Sequence, residues 1–210
     1  METREWTTWR GRFAAAWIAL AVFVGAGCSA LPPCTIHPDQ VSADAVTLDL
    51  PIVHQDTLYT CGLASVSALC QYWNVDIPVQ RRNDLSQTAE RKEGLSGREL
   101  REALEELGMD AFLFRGTLDR SPTGLYGQVD QGRPPLVMIS PDSSGHHYCL
   151  VLGYDEPRGN VFLLDPVRGQ VIIPTAVFDR EWARCQRFTL LACPKEKPAL
   201  ALGSSRLPKP

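Results

Sequence analysis

His54-Gln55-Asp56-Thr57-Leu58-Tyr59-Thr60-Cys61-Gly62-Leu63-Ala64 carries a polar loop into the first turn of a helix, with a cysteine at the junction. Far downstream, His146-His147-Tyr148-Cys149-Leu150-Val151-Leu152-Gly153-Tyr154-Asp155 places a histidine at the head of an apolar strand, and Leu163-Leu164-Asp165-Pro166 closes the next strand on an acid. A thiol is a strong nucleophile only as the thiolate, and a helix N-terminus beside an imidazolium favours that form. The pattern therefore offers a nucleophile at Cys61, a general base at the histidine pair, a carboxylate to orient it and, at Gln55, a side-chain donor for a developing oxyanion.

Each candidate has an ordinary reading beside it. A cysteine in a helix is commonly a buried packing residue, and a glutamine in a polar loop is commonly solvated. The four histidines are His37, His54, His146 and His147. His37 falls too early for a fold to position it, and His54 reads as a loop residue. Alternation along a strand sends His146 and His147 to opposite faces, so only one of them can face Cys61. Asp155 competes with Asp165 as the carboxylate, but a partner belongs on the neighbouring strand rather than at the far end of the same one. Cys149 shares a strand face with His147; it either lies near the cleft, open to oxidation, or packs in the core, and core packing is the expectation.

Gln55 with Cys61-Gly62-Leu63-Ala64, then His147 through Asp155, then Leu164-Asp165-Pro166 resemble the double-glycine leader peptidases, the bacteriocin-processing cysteine peptidases often fused to ABC exporters. The resemblance covers about Leu50 to Pro194. It implies a papain-like α+β fold with Cys61 as nucleophile, His147 as base, Asp165 as its partner and Gln55 in the oxyanion hole. It selects His147 over His146, because the family histidine is followed directly by an aromatic and an apolar run.

The chain has 210 residues, enough for one compact domain, and its net charge of −3 suggests no nucleic-acid partner. Arg4, Arg10 and Arg12 precede an apolar run from Phe13 to Gly27, which reads as a signal peptide over 1–27. Gly25-Ala26-Gly27-Cys28-Ser29 resembles a lipoprotein cleavage site, although Gly25 stands where leucine is usual. Lipidation of Cys28, a plain secretory cut nearby and an uncleaved anchor all remain open. The expectation is an exported domain in the bacterial cell envelope, joined to a membrane through Cys28, with a tether over 28–47, the peptidase domain over 48–194 and a disordered tail over 195–210. Beyond Cys28 and Cys61 there are five cysteines, for which the trial disulfide is Cys185 with Cys193. No Cys-x-x-Cys or grouped Cys/His spacing points to zinc, and no cofactor is implied.

Pattern and turn chemistry predict a strand over Leu48–Val53 and a helix from Thr60 or Cys61 with Leu63, Val66, Leu69 or Cys70, and Trp73 on one face. Residues 79–94 read as a surface loop or a short exposed helix. A helix capped by Ser96 and Glu99 carries a Leu100, Ala103, Leu104, Leu107 stripe and ends at Gly108. Strands are expected at 111–114, 135–139, 148–154, 161–164, 170–173 and 188–192, with a short helix at 178–182. Helices first and an antiparallel sheet after them give an α+β layout. The expected activity is peptide-bond hydrolysis, after Gly-Gly if the family habit holds. A papain-like acyltransferase and a non-catalytic peptide-binding accessory protein on the same fold are the rivals.

Overall fold

The computed structural model describes residues 35–141 and 145–195. The expected signal segment, Cys28, Cys34 and nearly all of the tail lie outside these residues. Among the described residues, no helix is long and apolar enough to cross a membrane.

Among the described residues, seven strands form one antiparallel sheet: β1 (Val46–Thr47), β2 (Met109–Arg115), β3 (Leu136–Ile139), β4 (His147–Asp155), β5 (Asn160–Asp165), β6 (Gly169–Pro174) and β7 (Phe188–Pro194). Their order is β2-β7-β3-β4-β5-β6, with β1 added beside β4. Helices α1 (Cys61–Tyr72), α2 (Val79–Lys92) and α3 (Gly97–Glu106) pack on one face, and α4 (Leu125–Asp130) and α5 (Thr175–Arg184) on the other. Strand alternation sorts the side chains between two cores. Tyr148, Leu150, Leu152, Phe162 and Leu164 join the α1–α3 side, whereas Cys149, Val151, Val161 and Leu163 join the α4–α5 side.

Helix α1 is not the one-sided helix its stripe suggested. Every residue from Cys61 to Cys70 is buried, because α2 and α3 cover the flank that the sheet leaves open. Helix α2 is a full 14-residue helix where a loop or short helix was expected. It docks through little more than Leu85 and Ala89, which is too sparse an apolar pattern to announce itself. Helix α3 has the anticipated capping box, with Ser96 Oγ accepting from Glu99 N–H at 3.3 Å and Glu99 Oε2 accepting from Ser96 N–H at 2.8 Å. Helix α4 was not foreseen.

The predicted strand over 48–53 is absent. Pairing occurs instead at Val46–Thr47, opposite Tyr154 and Gly153, and ends with Leu48 N–H donating to Leu152 O at 2.8 Å. Beyond that point β3 already occupies this edge of β4, from His147 to Leu150. The expected tether is correspondingly shorter, since Ile36, Val41 and Ala45 pack on the first core. Asp155, fully buried, accepts from Ser42 N–H and Ser42 Oγ, each at 2.7 Å, and so clasps this segment.

A β-bulge at Leu152 shifts the β4–β5 register between Val151 and Gly153. The shift lets Tyr154 reach the second core, where its ring lies 4.2 Å from that of Tyr126. The trial disulfide is not formed; the five described cysteines are all free. Cys185 sits before the turn into β7, while Cys193 is five residues beyond Phe188, a rise of about 16 Å that no disulfide spans.

A Cβ on Gly153 would fall 2.1 Å from Val46 O, so β1 can lie here only against glycine. Gly153→Ala should lower the unfolding free energy by about 1–3 kcal/mol and expose residues 35–47 to limited proteolysis. Urea midpoints and digestion time courses check this.

Candidate active site

Cys61 is the first residue of α1, and helix geometry points the free N–H groups of the first turn toward its end of the helix. His147 and the backbone of Tyr148 and Gly62 are the groups whose hydrogen bonding acts on its thiol. Burial pushes the thiol pKa up, but these hydrogen bonds, led by that to His147, outweigh it and bring the pKa below the ordinary value. Ser65, one turn on, donates its hydroxyl to Tyr148 O at 3.4 Å and ties α1 to β4. Gly62 faces packed side chains. A Cβ there would meet Leu100 at 3.1 Å and Tyr148 at 3.2 Å, so the glycine lets α1 settle against α3 and β4.

His147 opens β4, and its Nε2 lies 2.9 Å from Asp165 Oδ1 at the end of β5. The Asp165 carboxylate is buried and held on both oxygens. Oδ1 accepts from Val167 N–H at 2.8 Å and Arg168 N–H at 3.4 Å, and Oδ2 accepts from Arg168 Nε at 2.7 Å. Burial alone would raise the Asp165 pKa, yet the His147 bond and charge, Val167 and Arg168 hold it well below the usual carboxylate range. Burial likewise works against the imidazolium, and Asp165, Cys149 and Cys61 overrule it, pushing His147 up to about 12. The result is a line of alternating charge, Arg168, Asp165, His147 and Cys61, that favours thiolate and imidazolium together.

The structure hydrogen-bonds His147 to Asp165 and sets the pair where His147 acts on the Cys61 thiol. Gln55 stands beside it, its N–H donating to Pro166 O at 3.0 Å. Gln55 Nε2 donates to Thr57 O at 2.7 Å, which leaves one amide hydrogen uncommitted, and Oε1 is buried without a hydrogen-bond partner among the described residues. Thr57 O also accepts from Thr60, the N-cap residue of α1, so Gln55 is coupled to the start of that helix. His54 is exposed, with Nδ1 3.1 Å from Pro166 O. His146 is exposed on the rim of the groove, and Asp155 belongs to the distant clasp on Ser42.

A groove of about 1270 Å³ runs past Cys61, lined by Leu58, Tyr59, Leu95, Met138, Tyr148 and Phe188 among others. Lys92 and Glu99, paired at 2.5 Å, stand on the α2–α3 side of it. Arg168 was not anticipated, although a basic residue three positions after Asp165, in an Asp-Pro turn, was a readable signal. Cys149 lies where alternation put it, fully buried and against the His147 ring.

A helix-on-antiparallel-sheet domain with a cysteine at the head of its central helix has the layout of the papain-like cysteine peptidases. Residues 49–197 match the Peptidase C39 family, and the chain belongs to that family. The lactococcin-G-processing and transport ATP-binding protein LagD of Lactococcus lactis subsp. lactis is 24% identical over 131 residues, covering 62% of this chain but only 17% of that relative's length. The peptidase domain of Streptococcus ComA, a bifunctional ABC transporter involved in quorum sensing, superposes with a TM-score of 0.56 at 20% identity, covering 70% of this chain and 98% of that one. A double glycine motif protease from an AMS/PCAT transporter, solved with its leader peptide, gives 0.55 at 18% identity over 72% of this chain and 98% of that one.

The charge line makes a direct prediction about thiol reactivity. Iodoacetamide should label Cys61 well below the free-thiol pKa of about 8.5, ahead of Cys70, Cys149 and Cys185, whose pKa values burial pushes up. His147→Ala should remove that lead, as read by site-resolved mass spectrometry.

Proposed function

We propose that the chain hydrolyses peptide bonds through an acyl-enzyme on Cys61. The observation that carries this is the His147 imidazole, bonded to a buried carboxylate through Nε2 and acting on the Cys61 thiol, whose pKa it helps bring below the ordinary value despite burial. In this reading the thiolate attacks the scissile carbonyl carbon, and the carbonyl π electrons move onto oxygen. The uncommitted amide hydrogen of Gln55 and a backbone N–H at the start of α1 receive that charge. His147 gives its proton to the departing amine, then takes one from the water that hydrolyses the thioester. Asp165 stays ionised throughout and holds the ring in place.

The substrate class we propose is a peptide cut after Gly-Gly. Family membership supports it, as does the groove that runs past Cys61 between Tyr59, Tyr148 and Phe188 and can seat an extended peptide. We further propose that the domain acts outside the cytoplasm, lipid-anchored at Cys28, on the strength of the arginine-flanked apolar run that ends at this cysteine.

A panel of peptides differing only at the two residues before the cleavage point tests the reading. Wild type should cut the Gly-Gly member best. Cys61→Ala should lose turnover by roughly four orders of magnitude, and Gln55→Ala should lose on the order of 100-fold in kcat. Undiminished cleavage by Cys61→Ala would end the proposal.

A further inference from the structure

We infer that His147, Cys149 and Asp165 form a binding site for a thiophilic divalent cation of the zinc class. The site is built by the sheet. Leu150 pairs with Leu164 across β4 and β5, so the next step of the ladder sets Cys149 opposite Asp165. His147 lies two residues from Cys149, on the same face of β4. One ring nitrogen of His147, the sulfur of Cys149 and a carboxylate oxygen of Asp165 all lie within 4.8 Å of one another.

The donor chemistry selects the ion. Imidazole nitrogen, sulfur and a single carboxylate oxygen suit zinc, whereas calcium and magnesium demand oxygen-rich shells. Bonds of about 2.0–2.3 Å to a tetrahedral ion put ligand atoms about 3.3–3.8 Å apart, so a pair at the 4.8 Å limit draws in by about 1–1.5 Å, while His147 Nε2 and Asp165 Oδ1, now 2.9 Å apart, open slightly. Asp165 is already oriented by Arg168 and Val167 N–H, the outer support that metal-binding carboxylates use. Cys149 is otherwise surrounded by apolar second-core residues such as Val137 and Val151, and its sulfur lies within 4.8 Å of a His147 ring nitrogen. On binding, two protons leave to solvent, one from the Cys149 thiol as the sulfur–metal bond forms and one from the His147 imidazolium as its ring nitrogen takes the ion. Resting on the peptidase reading, an ion held here takes His147 and Asp165 out of the catalytic set and switches the site off.

The test uses the full chain carrying Cys61→Ala, so that the proposed nucleophile contributes no thiolate, titrated with cobalt(II) as a spectroscopic stand-in. A thiolate-to-cobalt charge-transfer band should grow in, saturate, and be displaced by zinc(II). It should vanish in Cys61→Ala/Cys149→Val. Should that variant not fold, Cys61→Ala/His147→Gln must weaken cobalt binding by at least about tenfold. No band in Cys61→Ala, a band that survives Cys149→Val, or unchanged affinity in His147→Gln would each overturn the site. None of these readouts needs turnover, so failure of the peptidase reading is seen separately.

Discussion

Antiparallel pairing of β4 with β5 is the constraint on which the rest of the site depends. It runs from Leu150 opposite Leu164 to Asp155 opposite Asn160, and it delivers His147 and Asp165 to one end of the ladder with their side chains on one face. The turn that follows Asp165 then serves the other half of the site. Pro166 O accepts from Gln55 N–H and lies against His54, so the loop leading into α1 is fastened to the same turn that fixes the carboxylate. Ser65, bonded to Tyr148 O, fastens α1 to β4 from the helix side. The sulfur and the imidazole thus meet because two backbones are each anchored twice.

Electrostatics complete what the backbone begins. A buried carboxylate beside a half-buried histidine would lose its charge if left alone, since burial penalises ions. Arg168 on one oxygen and two backbone N–H groups on the other keep Asp165 ionised, and Asp165 in turn keeps His147 protonated against its own burial. Cys61, whose burial raises the thiol pKa and whose neighbours, His147 first, bring it below the ordinary value, closes the line. Each charge is stable because its neighbour has the opposite sign, which makes the set sensitive to the loss of any one member.

Much of this was legible in the residues. The Ser96 and Glu99 box fixed the start of α3, and the change from helical to strand period after Gly108 marked the sheet. The Cys61, His147 and Asp165 order carried the candidate set because each residue sits at an element boundary with its own local signature. Other features were hidden for physical reasons. Leu48–Val53 has strand composition, yet only the far end of β4 had a free edge, and competition for an edge cannot be read from one segment. Helix α2 buries only Leu85 and Ala89, so its face is written in two residues. The closeness of Gly62 to Leu100 and Tyr148, and of Cys149 to Asp165, comes from packing and register between distant segments.

The central claim is a covalent intermediate on one sulfur. Wild type mixed with a chromogenic peptidyl ester ending in Gly-Gly, quenched in acid within milliseconds to seconds and weighed intact, tests it most directly. The account predicts an added mass equal to the peptidyl acyl group, located at Cys61 by fragmentation and decaying as free acid appears. Product that accumulates with no adduct on Cys61, and at the same rate in Cys61→Ala, would contradict it.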